Sequence, residues 1–338
     1  MDEKYDVVVV GGGAAGLAGA LALARARRSV LVVDAARPRN TPAGHVHNYL
    51  GRESTPPAEL VAIGRDEVAG YGGEVVTGTV TAAARTGDGF EVTLDDGRSV
   101  HARRLLVTTG LVDELPDIDG VAERFGRDVL HCPYCHGWEA RDQAIGVIGS
   151  NPLVVHAALL WRQLSADVTV FRHHAPELTD EQREELAARG IRVVEGEVAA
   201  VEVSEDRLTG VRMASGEVVP RQVVVVAPRF TARAGLLTAL GLEVTEQVVQ
   251  GHVVGTYVAA DPTGATAVPG VWVAGNVANV TAQVIVSASG GLTAGAAINA
   301  DLVAEDTRQA VAAHRAGVFA REGEVGELVG GVRRHGIR

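Results

Sequence analysis

The feature that most constrains the fold is the segment 5–35, YDVVVVGGGAAGLAGALALARARRSVLVVDA. Val7 to Val10 form a β-branched run typical of a strand buried on both faces, and Ala14 to Arg25 predict the helix that follows. A second apolar run, ending at Asp34, predicts another strand. A strand, glycine turn, helix and strand in this order predict a dinucleotide-binding unit.

The glycines of this segment have the spacing G-x-G-x-x-G at Gly11, Gly13 and Gly16. The first permits the turn, the second lets the backbone approach a pyrophosphate, and the third lets the helix lie close to the strand. Ala14 begins that helix and is included among the predicted cofactor-binding residues. Asp34 is placed to accept hydrogen bonds from ribose hydroxyls, which argues against a 2'-phosphate and fits FAD or NAD.

The same plan of elements then occurs twice. FEVTLDDGRSVHARRLLVTTG contains two short strands joined by a turn at Asp96-Gly97 and a buried strand from Leu105 to Thr108. LTGVRMASGEVVPRQVVVVAP repeats this with a turn at Ser215-Gly216, and a second strand, turn, helix and strand precede it at 144–174. The chain therefore predicts two dinucleotide-binding units in tandem.

The segment 266–303 predicts a strand ending at Gly275-Asn276 and a long helix of small residues that returns to the first unit. The predicted fold is α/β with two Rossmann-like dinucleotide-binding domains of three-layer ββα type. We expect a discontinuous FAD-binding domain at 1–115 and 246–320. A smaller inserted NAD(P)-binding-like domain at 116–245 would carry both cysteines. The tail 321–338 is expected to be loose or to pack on a second subunit.

Composition excludes some classes of partner. The 338 residues carry a net charge of -11, so no basic surplus is available to neutralise nucleic-acid phosphates. The N-terminus lacks the basic start of a secretory signal, and the apolar stretches are too short to span a bilayer. We therefore expect a cytoplasmic protein with no membrane partner, in a compartment where structural disulfides are uncommon.

The segment HCPYCHGWE, residues 131–139, contains both cysteines, Cys132 and Cys135. Cys-x-x-Cys-His is a haem-attachment signature, the thiols with His131 and His136 could bind zinc, and a Cys-x-x-Cys pair can cycle between dithiol and disulfide. The missing export signal weakens the haem interpretation. The nine residues alone do not decide among these chemistries.

Taken together, the motifs resemble the low-molecular-weight thioredoxin reductase family of flavin disulfide oxidoreductases over nearly all of residues 5–310. The resemblance rests on the order of four motifs, which are Gly11-x-Gly13-x-x-Gly16, Thr109-Gly110 before Pro116, Cys132-Pro-Tyr-Cys135, and Gly275-Asn276.

The resemblance implies that the first unit binds FAD, with the glycine motif and Asp34 on the adenosine half. Gly275, Asn276 and Gln283 would lie near the ribityl chain and ring. The remaining predicted flavin contacts are Asn48, Thr109 and Gly110. The family usually has aspartate at Asn276 and arginine at Ala282, so these detailed contacts would differ here.

The resemblance also implies that Cys132 and Cys135 lie over the flavin as a redox disulfide, which requires no metal. Zinc would need two further ligands in tetrahedral geometry, and the two histidines are both adjacent to the cysteines in sequence. We therefore predict a redox centre and no metal site.

The inserted unit departs from the family at its nicotinamide-nucleotide turn, which reads Gly149-Ser150-Asn151-Pro152-Leu153-Val154. Asn151 replaces the glycine that lets the backbone reach the pyrophosphate, and Pro152 removes an amide donor. Arg172-His173-His174 replaces the family's His-Arg-Arg clamp for the 2'-phosphate, and imidazoles are poor substitutes for a guanidinium. NADPH binding is therefore doubtful.

A third departure is His136, which stands where the family usually has an aspartate beside the second cysteine. A histidine there is a suitable base for an incoming thiol. His45 and His47 are expected either to line a substrate pocket or to be solvated loop residues. Trp138 is expected to be a core residue.

These departures resemble the dithiol oxidase branch of the family, the gliotoxin- and holomycin-type dithiol oxidases. The leading hypothesis is a cytoplasmic, homodimeric, FAD-dependent dithiol oxidase that uses Cys132, Cys135 and His136 to close a small-molecule disulfide. Dioxygen would accept the electrons and give hydrogen peroxide. One alternative is an NADPH-dependent enzyme that reduces a thioredoxin-like protein, and another is a flavin redox sensor without turnover.

Overall fold

A computed structural model of the chain describes residues 4–315. The strands are β1 Lys4–Val10, β2 Val30–Asp34, β3 Glu74–Thr77, β4 Val80–Arg85, β5 Phe90–Leu94, β6 Ser99–Val107, β7 Leu111–Glu114, β8 Val129–Leu130, β9 Ile145–Ile148, β10 Val168–Phe171, β11 Arg192–Val194, β12 Val198–Ser204, β13 Arg207–Met213, β14 Val218–Pro220, β15 Val223–Val225, β16 Arg229–Ala232, β17 Val244–Val249, β18 His252–Val258 and β19 Val271–Val273. The helices are α1 Ala14–Arg25, α2 Pro57–Gly70, α3 Val121–Arg124, α4 Pro133–His136, α5 Val154–Trp161, α6 Asp180–Ala188, α7 Gly235–Ala239 and α8 Val284–Arg315.

The first unit is built on a seven-stranded sheet. Its strands run in the order β3-β2-β1-β6-β5-β4, and β19 pairs with β6. The pairs among β3, β2, β1, β6 and β19 are parallel, whereas β4, β5 and the start of β6 form an antiparallel meander. Val7 to Val9 are fully buried because helices and the meander cover both faces of the sheet. The predicted buried β-branched strand is confirmed.

Helix α8 returns to the first unit and packs on α1 through glycines. A Cβ atom on Gly291 would overlap the carbonyl oxygen of Ala15, and a Cβ atom on Gly19 would lie 2.9 Å from the carbonyl oxygen of Gly291. The backbones of the two helices can approach this closely only because side chains are absent at the crossing. The predicted return of the C-terminal segment to the first unit is confirmed.

The second unit repeats the plan. Its parallel sheet has the order β11-β10-β9-β15-β8, and β12-β13-β14 form a separate antiparallel sheet. The buried side chains of β9, β10 and β15 pack with α5 around Trp161. The two predicted Rossmann-like units, with the second inserted into the first, are both present.

The crossover back to the first unit lies earlier in the chain than the expected division at 245/246. Strand β16 pairs with β7 and β18 in a four-stranded sheet, and Leu237 and Leu242 belong to the same core as Val8 and Val107. The chain at 229–242, which the sequence assigned to the inserted unit, therefore packs on the first. The sequence pattern of the meander does not predict this boundary, because contacts with residues distant in the chain determine where α7 packs.

The predicted tail 321–338 lies outside the described residues. No helix within residues 4–315 is both long enough and apolar enough to cross a membrane.

Candidate active site

The glycine motif has the geometry that its spacing predicts. Gly11 has φ +104°, and a Cβ atom there would lie 2.7 Å from the carbonyl oxygen of Thr108. A Cβ atom on Gly16 would overlap the carbonyl oxygen of Gly11, so only glycine lets α1 lie this close to the turn. At Gly13, the residue that caps α1, a Cβ atom would meet nothing within 4 Å. The Gly13 backbone is therefore exposed to the cavity above the helix N-terminus.

Asp34 ends β2 and is held by an arginine. Arg65 Nη2 on α2 donates to Asp34 Oδ2 at 2.5 Å, and no hydrogen bond from the described residues reaches Asp34 Oδ1. Arg65 Nε is buried and has no partner within the described part of the chain. Asp34 lines the large cavity with one carboxylate oxygen free of hydrogen bonds from the described residues, whereas Arg65 does not line it.

Asn276 is engaged within the protein rather than free for a ligand. Its amide nitrogen donates to the carbonyl oxygens of Asn279 and Ala282, each at 3.0 Å, and its oxygen accepts from Arg39 Nη1 at 3.3 Å. Arg39 also forms a two-pronged ion pair with Asp113, at 2.6 and 2.5 Å. An aspartate could not make the two donations of the amide, which gives a structural reason for the asparagine.

Thr109, Gly110, Gly275 and Gln283 line the same cavity as the glycine motif. The Thr109 hydroxyl donates to the carbonyl oxygen of Arg233 at 2.8 Å. Gly275 has φ +73°, and a Cβ atom there would lie 2.9 Å from Ala15 Cβ, so the turn before α8 needs glycine.

Asn48 is placed differently from the other predicted flavin contacts. Its amide nitrogen donates to the carbonyl oxygen of Tyr134, which lies between the two cysteines, at 2.5 Å. Asn48 does not line the large cavity, although His47 and Tyr49 do. In this structure Asn48 holds the Cys-x-x-Cys turn.

Cys132 and Cys135 form a disulfide. Cys132 caps α4, and the backbone amides of Cys135 and His136 each lie 3.2 Å from its carbonyl oxygen. Proline at the first helical position suits this short helix because its missing amide hydrogen has no partner there. Both cysteines line the cavity that contains the glycine motif.

His136 is a half-buried histidine with one ring nitrogen unpaired among the described residues. Burial lowers its pKa, although the carboxylate of Glu139 acts in the opposite direction and His47 adds to the lowering. Its Nε2 atom is buried and without a hydrogen-bond partner within residues 4–315. An unprotonated imidazole with a free ring nitrogen can take a proton from a thiol.

His131 is a different kind of histidine. It stacks on Phe125 at 5.8 Å between ring centroids and meets Phe230 edge-on at the same distance. Burial, and then the charge of Arg39, lowers its pKa to about 4. The residue therefore behaves as an aromatic packing group near neutral pH.

The nicotinamide-nucleotide turn of the inserted unit has lost two amide donors. Asn151 Oδ1 accepts from the backbone amide of Leu153 at 2.9 Å, and Pro152 has no amide hydrogen. Helix α5 begins at Val154, two residues later than the position that corresponds to Ala14, the first residue of α1. Positions 152 and 153 therefore offer no amide to a pyrophosphate, and the helix N-terminus is displaced.

The predicted phosphate clamp is paired with acids. Arg172 donates to Glu195, and the carboxylate of Glu177 lies 3.9 Å from it. His174 Nε2 lies 3.7 Å from Glu197. His173 Nδ1 accepts the backbone amide hydrogen of Val198 at 3.0 Å, and burial lowers the pKa of this histidine.

One cavity of about 1120 Å³ between the two units connects the glycine motif, the disulfide and the turn at Ser150–Asn151. The clamp residues 172–174 do not line it. The predicted site residues that line it are Gly11, Gly13, Ala14, Asp34, Thr109, Gly110, Cys132, Cys135, His136, Gly275, Asn276 and Gln283. Gly16 lies below the turn as a packing residue, and Asn48 lies behind the disulfide. Within residues 4–315, no group of three or more His, Cys, Asp or Glu side chains is arranged to bind a metal ion.

The sequence interpretation of Trp138 as a core residue is wrong. Its side chain is 66% exposed and lies under the Arg141 guanidinium, 4.2 Å from the ring centroid. Sequence reasoning also missed Arg39, Arg65 and Glu139. Only Glu139 had a local signal, since it lies three residues after His136.

Two dinucleotide-binding units with a Cys-x-x-Cys disulfide in their common cavity define an oxidoreductase that acts on sulfur groups. A family model agrees with this class. The chain belongs to the pyridine nucleotide-disulphide oxidoreductase family, whose model matches residues 5–315.

Individual relatives cover most of the chain. The crystal structure of HlmI is 48% identical, covers 93% of this chain and 97% of its own, and has a TM-score of 0.85. The crystal structure of an oxidoreductase from Agrobacterium tumefaciens is 34% identical and has a TM-score of 0.82. The match covers 89% of this chain and 99% of the other. Thioredoxin reductase sirT of Leptosphaeria maculans is 28% identical over 319 residues, 89% of this chain and 95% of its own. Thioredoxin reductase tcpT of Claviceps purpurea is 30% identical over 275 residues, which cover 76% of this chain and 86% of tcpT.

Family membership implies a flavin cofactor, and the first unit fits one. The open backbone at Gly13 suits a pyrophosphate at a helix N-terminus. The free Asp34 oxygen suits a ribose hydroxyl.

Proposed function

We propose that this protein is an FAD-dependent dithiol oxidase. Its substrate would be a small-molecule dithiol of natural-product type, which leaves as a disulfide, while dioxygen is reduced to hydrogen peroxide. We further propose, from the family resemblance alone, that the active form is a homodimer.

The observation that carries the proposal is the state of the inserted unit. Asn151 takes the amide of Leu153, Pro152 supplies no donor, and Arg172 is held by Glu195. A 2'-phosphate placed there would face Glu177, Glu195 and Glu197 instead of free guanidinium groups. This argues that electrons do not enter from a nicotinamide coenzyme. The disulfide must then be reduced by substrate thiols.

The residues of the chain supply the sulfur chemistry. A substrate thiol gives its proton to His136, and the resulting thiolate attacks Cys132, so that a mixed disulfide forms and Cys135 leaves as a thiolate. The second substrate thiol attacks the sulfur that is bonded to Cys132, which releases a cyclic disulfide and the reduced cysteine pair. FAD, when bound, supplies the acceptor for this electron pair and its route to dioxygen.

The location of the disulfide supports a small substrate. Cys132 and Cys135 line a cavity between the two units, where the peptide surface of a folded partner has less access than a small dithiol. His45 and His47 also line this cavity, which supports their assignment to a substrate pocket.

The test is anaerobic stopped-flow spectroscopy of the purified flavoprotein. We expect a dithiol to bleach the flavin absorbance near 450 nm in one phase, and admitted oxygen to restore it with about one equivalent of hydrogen peroxide per dithiol. NADPH should bleach it at least ~100-fold more slowly, because a pyrophosphate seat that has lost the donors of Pro152 and Leu153 and the start of its helix binds weakly. Rapid bleaching by NADPH with none by any dithiol would refute the proposal.

The second candidate is an NADPH-dependent reductase of a thioredoxin-like protein. It is favoured by the names of sirT and tcpT, both called thioredoxin reductases. The same experiment separates the two functions if a thioredoxin is added with NADPH and its free thiols are counted. A redox sensor without turnover would yield no more than about one equivalent of peroxide per flavin.

A further inference from the structure

A second cavity, of about 330 Å³, lies beside the active-site cavity. His136 and His47 line both cavities, whereas Glu139 lines only the second. The cysteines do not line the second cavity. His136 therefore lies between the disulfide and a second cavity that the cysteines do not line.

A chain of acidic and imidazole groups lies beside His136. Glu139 lies in the turn after α4, three residues from His136, and both side chains line the second cavity. The Glu139 Oε1 atom lies 3.5 Å from His47 Nε2, and His47 Nδ1 lies 2.5 Å from Glu53 Oε1. Glu139, His47 and Glu53 are therefore joined in this order, and His136 shares the second cavity with the first two.

The loop that carries His47 is fixed in position. Val46 pairs with Thr55 across a β-bridge, and the backbone amide of Asn48 donates to Glu53 Oε2 at 2.9 Å. The Asn48 side chain then binds the carbonyl oxygen of Tyr134. His47 is thus held by its own loop on one side and by the Cys-x-x-Cys turn on the other.

We propose that Glu139 and His47 are positioning residues that pass the thiol proton from His136 to the second cavity. The inference rests on the proposed oxidase function, because that function requires His136 to be unloaded within each turnover. Glu53 anchors His47 in this path through a short hydrogen bond.

The proton balance gives such a path a role. Each dithiol gives two electrons to the Cys132–Cys135 bond, and its two protons are shared between His136 and the cysteine sulfurs as its own sulfur–sulfur bond forms. Peroxide formation later consumes two electrons and two protons, and dioxygen is the oxidant of the proposed function. His136 must give up the first proton before it can deprotonate the second thiol. If that proton goes to the second cavity and not to Cys135, Cys135 stays a thiolate that can pass its electrons on.

Other titratable groups also face this space. His45, Arg127 and Asp128 line the second cavity with Glu139, His47 and His136. Burial lowers the pKa of His136, Glu139 opposes that lowering, and His47 adds to it. Glu139→Gln and His47→Gln should therefore move the pKa of His136 in opposite directions, the first down and the second up.

The test uses Glu139→Gln, His47→Gln and a matched control, His101→Gln. His101 forms a similar histidine–carboxylate pair, with Asp88 at 2.9 Å, but lines neither cavity. The measurements are the pH dependence of flavin reduction by dithiothreitol under argon, and the His136 pKa from a ¹³C NMR titration of the full-length protein.

We expect both site variants to lower the maximal reduction rate about tenfold, which is less than the ~10²-fold expected when a general base itself is lost. Their dithiothreitol affinity and thermal midpoints should match those of the control. A fall in rate without the two opposite pKa shifts would indicate a structural role and overturn the proposal. Rates and pKa values equal to those of the control would also overturn it.

The experiment keeps failure of the function apart from failure of the relay. If dithiols never reduce the flavin of the wild-type protein, the proposed function fails. Reduction of the Cys132–Cys135 bond by dithiothreitol, followed by thiol labelling, then still reports the exchange step. Unchanged exchange in Glu139→Gln would refute the relay by itself.

Discussion

Replacement of Gly13 by alanine should separate flavin binding from folding. Gly13 caps α1 with φ -78°, a value open to any residue, and its added Cβ would meet no atom within 4 Å. In the flavoprotein that same space would belong to the pyrophosphate. The methyl group should thus be neutral for the apoprotein and harmful for the complex.

The magnitudes follow from two opposed effects on folding. Lower chain entropy in the unfolded state stabilises a compatible Gly→Ala replacement by about 0.4–1 kcal/mol. Alanine is a poorer helix N-cap than glycine, which costs roughly 0.5 kcal/mol. The free energy of unfolding of the apoprotein should therefore change by less than about 1 kcal/mol. Flavin affinity should fall by at least ~10-fold, or about 1.4 kcal/mol.

The assay is urea unfolding of the flavin-free protein together with flavin titration followed by fluorescence. Gly16→Ala is the contrasting variant, because its Cβ would overlap the Gly11 carbonyl oxygen and should cost about 1–3 kcal/mol or more in stability. Gly235→Ala serves as the control, since its Cβ meets nothing within 4 Å and it lies outside the large cavity. Wild-type flavin affinity in Gly13→Ala would refute the assignment of the pyrophosphate to this turn.

Three further predictions concern single residues. The pKa of His131 is about 4 in the folded protein against 6.5 when exposed, so the unfolded chain binds more protons between these values and stability falls on acidification. From pH 7 to pH 5 the loss should be about 2 kcal/mol, and His131→Phe should remove this part of the pH dependence of urea unfolding. Cys135→Ser leaves Cys132 as a free thiol, which should attack an added small-molecule disulfide and keep it as a mixed disulfide, seen as a mass increase. Cys132→Ser should not accumulate this adduct. Asn276→Asp should destabilise the protein by about 1–2 kcal/mol in the same unfolding assay, because two backbone carbonyls lose their donor; an unchanged midpoint would show that Arg39 compensates.

Much of the fold follows from local signals. The helix 14–25 was bounded correctly because Gly13 and the run of alanine and leucine fix both ends within the sequence itself. The buried run at Val7 to Val10 and the meander turns at Asp96-Gly97 and Ser215-Gly216 were likewise placed correctly. Each of these depends on residues that are neighbours in the chain.

The errors arise where distant packing decides. Trp138 was expected in a core by its apolar ring, but it follows α4 in a surface turn, where its side chain is 66% exposed and its ring lies against the Arg141 guanidinium. The segment 229–242 was assigned to the inserted unit, yet the pairing of β16 with β7 returns it to the first. Neither outcome has a periodic signal in the sequence.

The sequence by itself determined the two nucleotide-binding units and the glycine turn, because backbone conformation and residue spacing are properties of the local chain. Only the tertiary structure decided which groups meet. It brought Glu195 onto Arg172 and His47 of the first unit onto Glu139 of the second. Charges and hydrogen bonds act over a few ångströms in space. The first pair comes within that range only when β10 has paired with β11, and the second only when both units have folded against each other.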